Sequence, residues 1–146
     1  MVSGEFSELV SKGIKESDKG NMLGALMYLE EASRIKRTPL LNSYLAYCIA
    51  KERGKRREAI ELCIGAVNDD PENLLLYLNL AKVYILAGQK NNALKVLRQA
   101  TKLGRDEQVM RFIKKLGIRK EPVLQFLHRE NPINILLGKL RYKFFG

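Results

Sequence analysis

Residues 80–97 read LAKVYILAGQKNNALKVL, a stretch that sets small residues at regular intervals among leucine, valine and isoleucine. The small residues are Ala81, Gly88 and Ala93. Apolar residues recur at spacings of three and four on both sides of Gly88, which predicts two helices joined by a turn. Glycine suits the left-handed end of the first helix, because a side chain there costs energy. Small residues on both helices let the backbones approach closely, so the stretch predicts a tightly packed helix pair.

The same pattern occurs three times along the chain with a period of 34 residues. Five columns keep this step: Gly20, Gly54 and Gly88; Ala25, Ala59 and Ala93; Leu26, Ile60 and Leu94; Leu29, Cys63 and Leu97; Ala32, Ala66 and Ala100. A fixed period of this length indicates helix pairs that stack on their neighbours into an array. Pro39 and Pro71 fall between the copies, where a helix can begin but cannot continue.

This pattern resembles the tetratricopeptide repeat family, whose unit has small residues in both helices and a glycine at the turn. The resemblance covers roughly residues 6–107. It is strongest in the third copy, where eight positions match: Tyr77, Leu80, Ala81, Tyr84, Gly88, Ala93, Leu97 and Ala100. The resemblance implies an all-α fold, a right-handed α-α superhelical solenoid of three helix pairs at about 6–39, 40–73 and 74–107.

The first helices of the first two copies depart from the pattern. Strict register puts Tyr47 at a position for a small residue, whereas Ala46 fits if one residue is inserted before Gly54. In the first copy Gly13 holds the small position. The helix register in these two segments therefore stays open.

The period stops after residue 107. Residues 108–117 predict a capping helix with Asp106 as N-cap and Gly117 as stop, since a stacked array needs an end with a more polar outer face. Its apolar side chains are Val109, Phe112, Ile113 and Leu116. Residues 118–146 predict a basic amphipathic C-terminal tail, in which Pro122 and Pro132 mark helix starts.

The charge of the chain is concentrated in its second half. The 146 residues suit one domain, and the net charge is +10. Residues 1–73 carry a net charge of −1 and residues 74–146 a net charge of +11. An electrostatic partner is therefore expected to bind the second half. No apolar run is long enough to span a membrane and the first residues lack a secretory pattern, so we expect a cytoplasmic protein.

The residue types needed for catalysis or metal binding are scarce. Cys48 and Cys63 lie in apolar helical segments and are expected to be buried free thiols. His128 is the single histidine and has no second ligand at metal-binding spacing. Glu30 and Glu31 are adjacent on a helix and point in different directions, so they make no acid/base pair. We predict no enzyme activity, no metal and no cofactor.

The resemblance implies that the first helix of each pair lines a concave groove. The candidate residues are Val10, Ile14, Ser17, Ser43, Tyr44, Tyr47, Ala50, Leu75, Leu78, Asn79, Lys82 and Leu86. They predict an apolar, tyrosine-rich groove with few charges, suited to a partner's amphipathic helix or extended peptide. Family members that grip a terminal carboxylate use several Lys, Arg and Asn, and only Asn79 and Lys82 are available here, so carboxylate capture is not expected. The predicted function is a non-catalytic scaffold: an adaptor, chaperone or assembly factor.

The tail leaves alternatives open. An apolar stripe of Ile133, Leu136, Leu137, Leu140 and Phe144 is accompanied by the cations Lys139, Arg141 and Lys143. Such a helix can pack on the last repeat, lie on an anionic membrane as the anchor of a peripheral assembly protein, or fill the groove of a second copy.

RNA binding through the basic second half is a further alternative. The run KERGKRREAI at residues 51–60 is another concentration of charge, with the cations Lys51, Arg53, Lys55, Arg56 and Arg57. It is diluted by Glu52, Glu58 and Glu61 and is interpreted as a solvated turn, which disfavours nucleic acid as a partner.

Overall fold

The computed structural model describes residues 2–116 of the chain, which form seven α-helices and contain no β-strand. The helices are α1 (Val2–Asp18), α2 (Met22–Ile35), α3 (Pro39–Arg53), α4 (Arg56–Asp69), α5 (Leu74–Leu86), α6 (Lys90–Leu103) and α7 (Glu107–Lys115). The prediction of an all-α fold is confirmed over this range.

The helices pack chiefly on their neighbours in the chain. α1 packs on α2, α3 on α4 and α5 on α6, and both helices of each pair contact the first helix of the next pair. α7 follows and packs on α5 and α6. Packing of each pair on its neighbours along residues 2–116 is typical of a helical repeat solenoid, so that prediction is also confirmed. The right-handed sense of the solenoid remains a prediction.

The three glycines of the 34-residue period occupy the same backbone position in each pair. Gly20, Gly54 and Gly88 have φ angles of 88°, 68° and 75°, and no other residue in the described range lies in the left-handed region of φ. Each follows the first helix of its pair. Because only glycine adopts this left-handed conformation without cost, the period marks where each first helix ends.

Side chains cap the starts of four helices. Asn21, Thr38, Asn73 and Asp106 each accept a hydrogen bond from a backbone N–H in the first turn of α2, α3, α5 and α7 respectively. Asp106 Oδ1 accepts from the backbone nitrogens of Gln108 at 2.8 Å and Val109 at 3.1 Å, which confirms the predicted cap. Pro39 occupies the first turn of α3, where its missing N–H costs nothing.

Small residues, alanine and glycine, set the distance between paired helices. The alanines of the period are buried: Ala25, Ala32, Ala59, Ala66, Ala93 and Ala100. At Gly13 an added Cβ would lie 2.5 Å from Cδ2 of Leu29, so the approach of α1 to α2 requires glycine. Ala46 is fully buried and Tyr47 is half-buried, which places the alanine at the small position of the second pair.

The apolar core consists of two clusters that meet on α3. The first cluster joins α1, α2 and one side of α3, and the second joins α3 to α4, α5, α6 and α7. α3 gives Leu41 and Cys48 to the first cluster and Ala46 and Ala50 to the second. The half-buried Tyr47 packs against both. α3 is therefore buried on opposite sides and connects the two parts of the core.

Candidate functional site

The first helix of each pair and α7, with Met22 from the start of α2, line one groove of about 470 Å³. Its apolar lining consists of Met22, Tyr47, Leu78, Ile85, Leu86 and Phe112. Its charged lining consists of Asp18, Lys19, Lys51, Lys82, Arg111 and Lys115, and Ser17, Gly20 and Gln108 complete the wall. The groove thus combines aliphatic and aromatic side chains with six charged residues, five of which are cations.

Helical spacing brings these side chains to one wall. Leu78, Lys82 and Leu86 recur every four residues and form one stripe along α5. Tyr47 and Lys51 are one turn apart on α3 in the same way. On α7 the groove residues Gln108, Arg111, Phe112 and Lys115 follow the three- and four-residue spacing of a single helix face. The buried residues Val109 and Ile113 lie on the other face of α7 and attach it to the core.

The candidate groove residues of the sequence analysis separate into three groups. Tyr47, Leu78, Lys82 and Leu86 line the groove, as does Ser17. Val10, Ser43, Tyr44, Ala50 and Asn79 are buried in the packing between helices. Ile14 and Leu75 are half-buried against the core and do not line this groove.

Ser43 and Asn79 form a polar contact inside the core. The side-chain amide of Asn79 donates to Oγ of Ser43 at 3.0 Å, and that hydroxyl donates in turn to the carbonyl of Leu40 at 3.0 Å. Both side chains are almost completely buried. Their hydrogen-bonding groups are used between α3 and α5, so they hold helices together in this structure.

Burial also determines the ionisation of Tyr44. Removal from water raises the pKa of this phenol to about 12, and the nearby carboxylate of Asp18 adds to the increase. Tyr44 is therefore neutral at physiological pH.

Lys82 lies in the groove close to aromatic rings from two other helices. Its Nζ is 5.3 Å from the ring centroid of Tyr47 and 5.9 Å from that of Phe112, within the range of cation–π attraction. Burial lowers the pKa of Lys82, the carboxylate of Asp18 opposes this, and Lys115 and Lys51 lower it further. The ammonium group is therefore partly desolvated and has more cations than anions around it.

The groove carries more charge than the sequence register predicted. Five cations face a single carboxylate, Asp18. Among residues 2–116, the ion pairs within 4.0 Å include none with Lys51, Lys82, Arg111 or Lys115. Lys19 is 3.8 Å from Glu16. The difference arises because α7 adds Arg111, Lys115 and Phe112 to a surface that the sequence analysis built from α1, α3 and α5 alone.

The basic run at residues 51–57 divides between the groove and the exposed turn after α3. Arg53 makes two contacts with the carboxylate of Glu30, at 3.1 and 3.2 Å. Nε of Arg57 lies 4.0 Å from Glu61. Both pairs are exposed, and Lys51 is the member of the run that turns into the groove. The spacing of four between Tyr47 and Lys51 was the available signal for it.

The two thiols are remote from solvent. Cys48 and Cys63 are free and buried, and burial raises the pKa of both, that of Cys48 to about 11. A neutral, buried thiol is a poor nucleophile. Within the described part of the chain no three His, Cys, Asp or Glu side chains come together as metal ligands.

Two further predictions concern the membrane and the tail. None of the helices described for residues 2–116 has both the length and the apolar character needed to cross a bilayer. The predicted tail contacts, Leu136, Leu137, Leu140 and Phe144, and the histidine His128 lie outside the described residues.

Comparisons with known proteins agree with this geometry. No curated protein and no solved structure matches the chain. A family model described as Tetratricopeptide repeat matches residues 50–116, from the last turn of α3 to the end of α7. The match includes α4, the α5–α6 pair and the helix that contributes Arg111 and Phe112 to the groove. Residues 50–116 are therefore similar to the tetratricopeptide repeat family over a little less than half of the chain.

Proposed function

We propose that this protein is a non-catalytic scaffold that holds a segment of a partner protein, a peptide or one face of a helix, in the groove lined by α1, α3, α5 and α7. Tetratricopeptide repeats generally mediate protein–protein interaction and are typically non-catalytic. The observation that carries the proposal is that the half-buried side chains of Tyr47, Leu86 and Phe112 line the same groove, together with the almost fully buried Leu78.

The size and chemistry of the groove support this proposal. A volume of about 470 Å³ accommodates a few side chains of a bound segment. Aromatic residues such as Tyr47 and Phe112 contribute a large contact area with few rotatable bonds, which is why they carry much of the binding energy at protein interfaces. Leu78 and Leu86 are two turns apart on α5, a spacing that fits the side chains of an extended or helical segment. As an adaptor, chaperone or assembly factor the protein would act by holding such a segment.

A selection from a displayed library of random peptides of about twelve residues tests the proposal. We expect recovered peptides to lose about tenfold or more in affinity when Tyr47→Ala or Leu86→Ala is introduced. The control is Met27→Ala, which truncates an exposed apolar side chain on α2 that does not line the groove. Thermal unfolding of each variant separates loss of binding from loss of fold. Recovery of no peptide above background, or equal binding by all variants, would reject the proposal.

A further inference from the structure

We infer that the groove selects a partner segment that carries acidic side chains, one of which docks on Lys82 between Tyr47 and Phe112. The inference rests on the proposed function and specifies the chemistry of the bound segment. It follows from the charges of the groove, from the position of Lys82 and from a comparison with two other occupants, residues 117–146 of this chain and RNA.

The cations of the groove converge from separate parts of the chain. Lys51 comes from α3, Lys82 from α5, and Arg111 and Lys115 from α7. Asp18 is the one carboxylate in the lining, and none of these four cations forms an ion pair within the described residues. Like charges gathered in a concave surface repel each other and attract an anion. A bound carboxylate would relieve this repulsion, whereas a neutral segment would leave it in place.

Lys82 is the cation best placed to act as the anchor. Lys82 is half-buried, and the ring centroids of Tyr47 and Phe112 lie 5.3 and 5.9 Å from its Nζ. Rings attract an ammonium weakly and do not replace the hydrogen bonds that water would make. A carboxylate entering the groove would supply those hydrogen bonds in a partly desolvated site, where an ion pair is stronger than in bulk water.

Apolar residues on the same stripe define the rest of the segment. Leu78 and Leu86 lie one turn before and one turn after Lys82 on α5. An acidic side chain on Lys82 would therefore place neighbouring side chains of the segment chiefly against Leu86, which is half-buried, and less against Leu78, which is almost fully buried. The expected segment combines Asp or Glu with aliphatic residues and lacks Lys and Arg.

The anion need not be the end of a chain. The amide of Asn79, which a terminal carboxylate would use, is buried and already donates to Ser43. The remaining contacts are cations spread along the groove. Side-chain carboxylates within a segment satisfy them as well as a terminus does.

Two other occupants fit the charge of the groove less well. Residues 117–146 of this chain contain six Lys and Arg and two Glu, a net charge of +4, so they have the same sign as the groove. RNA carries the required negative charge, but it binds along broad basic faces with open aromatic platforms. Here Lys82 lies between the two rings, and leucines separate the cations. The acidic peptide is the occupant that the contacts favour.

The first test is the composition of peptides selected from the random library. We expect enrichment of peptides with two or more Asp or Glu, few Lys or Arg, and aliphatic neighbours. If enriched peptides depend on Tyr47 and Leu86 but lack acidic residues, the inference fails and the proposed function stands. If no peptide is enriched, both fail.

The second test measures the contact with Lys82. One selected acidic peptide, amidated at its C-terminus, is compared by fluorescence anisotropy with the same peptide carrying Gln in place of Glu. We expect the change to Gln to weaken binding to the unaltered protein about tenfold and to weaken binding to Lys82→Met by less than about twofold. Methionine keeps the length of the side chain between the rings and removes the charge. The control Lys95→Met alters a half-buried lysine of α6 outside the groove and should behave as the unaltered protein.

Salt and competition complete the test. Raising NaCl from about 50 to about 500 mM should weaken the acidic peptide several-fold and the Gln peptide little. An equal effect of Gln on the unaltered protein and on Lys82→Met would overturn the assignment of Lys82. The competitors are a single-stranded RNA of about twelve nucleotides and a peptide of residues 117–146. The choice of occupant would be overturned if either competitor displaced the labelled acidic peptide at a lower concentration than the unlabelled acidic peptide does.

Discussion

Asn79 of α5 donates its side-chain amide to the hydroxyl oxygen of Ser43 on α3 over 3.0 Å, in a part of the core that solvent does not reach. Polar groups that are buried and satisfied in this way fix the relative position of two helices more closely than apolar contacts do. The pair lies beside the groove, because Leu78 of the lining is adjacent to Asn79 in α5. The hydrogen bond therefore helps to hold the two central walls of the groove in register.

Separate replacement of Ser43 and Asn79 by alanine should lower the free energy of unfolding by about 1–3 kcal/mol each, since each change leaves a buried polar partner without its hydrogen bond. The loss of unfolding free energy in the double variant should be smaller than the sum of the two single losses, by a coupling energy of about 1 kcal/mol. Urea unfolding of the four proteins measures both quantities. Strict additivity would show that the two side chains do not stabilise the fold through each other.

Two helical glycines provide a matched pair of substitutions. Gly65→Ala in α4 should raise the free energy of unfolding by about 0.5–1 kcal/mol, because an added methyl group meets nothing within 4 Å and alanine restricts the unfolded chain. Gly13→Ala in α1 should lower it by about 1–3 kcal/mol, because the new Cβ would collide with Leu29. Thermal or urea unfolding gives the sign of each change. Stabilisation by both substitutions would mean that α1 and α2 pack less closely than described.

Enlarging a buried alanine should separate paired helices. Ala93→Leu adds three carbon atoms to a fully buried position of α6 and should cost about 1–3 kcal/mol or more. Ala87→Leu, at the half-buried end of α5, is the control and should cost little. A fall in the urea midpoint for Ala93→Leu with an unchanged slope is the expected observation. Equal midpoints for the two variants would contradict the role of the alanines in helix spacing.

The buried phenol of Tyr44 predicts a loss of stability in alkali. Its pKa in the folded protein is about 12, above the ordinary value of 10.0, so the folded state binds this proton more tightly than the unfolded state. The stabilisation is complete below pH 10 and is lost as the pH rises from about 10 to about 12. The loss from this residue should be on the order of 1–2 kcal/mol. Urea unfolding at a series of alkaline pH values measures it.

Tyr44→Phe is the control for this pH dependence. Phenylalanine cannot ionise, and both proteins contain the same lysines and cysteines, so the difference between their pH profiles isolates Tyr44. We expect the free energies of unfolding of the two proteins to converge or cross above pH 10. Parallel profiles up to pH 12 would show that Tyr44 is accessible to water in the folded state.

The sequence predicted the repeat architecture because the residues that set it act locally. Gly88 ends a helix by its own backbone conformation, Asp106 caps α7 through hydrogen bonds to residues two and three positions away, and Ala93 limits the distance to its partner helix. Each of these effects depends on the type of residue at a single position, so it can be read from the sequence alone. The family resemblance then assembled them into pairs.

The groove was predicted less well because it depends on how several helices face each other. A step of one residue rotates a side chain by about 100° around a helix, so Leu78 lines the groove whereas its neighbour Asn79 lies in the packing between helices, although both are buried. Arg111 and Lys115 reach the groove only through the packing of α7 on α5, which no local pattern of residues 107–115 reports. Their spacing shows a shared helix face, but the sequence does not show what lies opposite.

The junction of the two apolar clusters on α3 has a mechanical consequence. Because the interior of the first helix pair is connected to the rest through α3 alone, α1 and α2 can detach as a cooperative unit while α4 to α7 keep their own interior. Detachment removes Ser17 and Asp18, which form one rim of the groove, and so opens the groove for release of a bound segment. A bound segment that contacts both rims stabilises the state in which α1 and α2 are attached. Amides of α1 and α2 should then exchange their hydrogens more slowly in the complex than in the free protein.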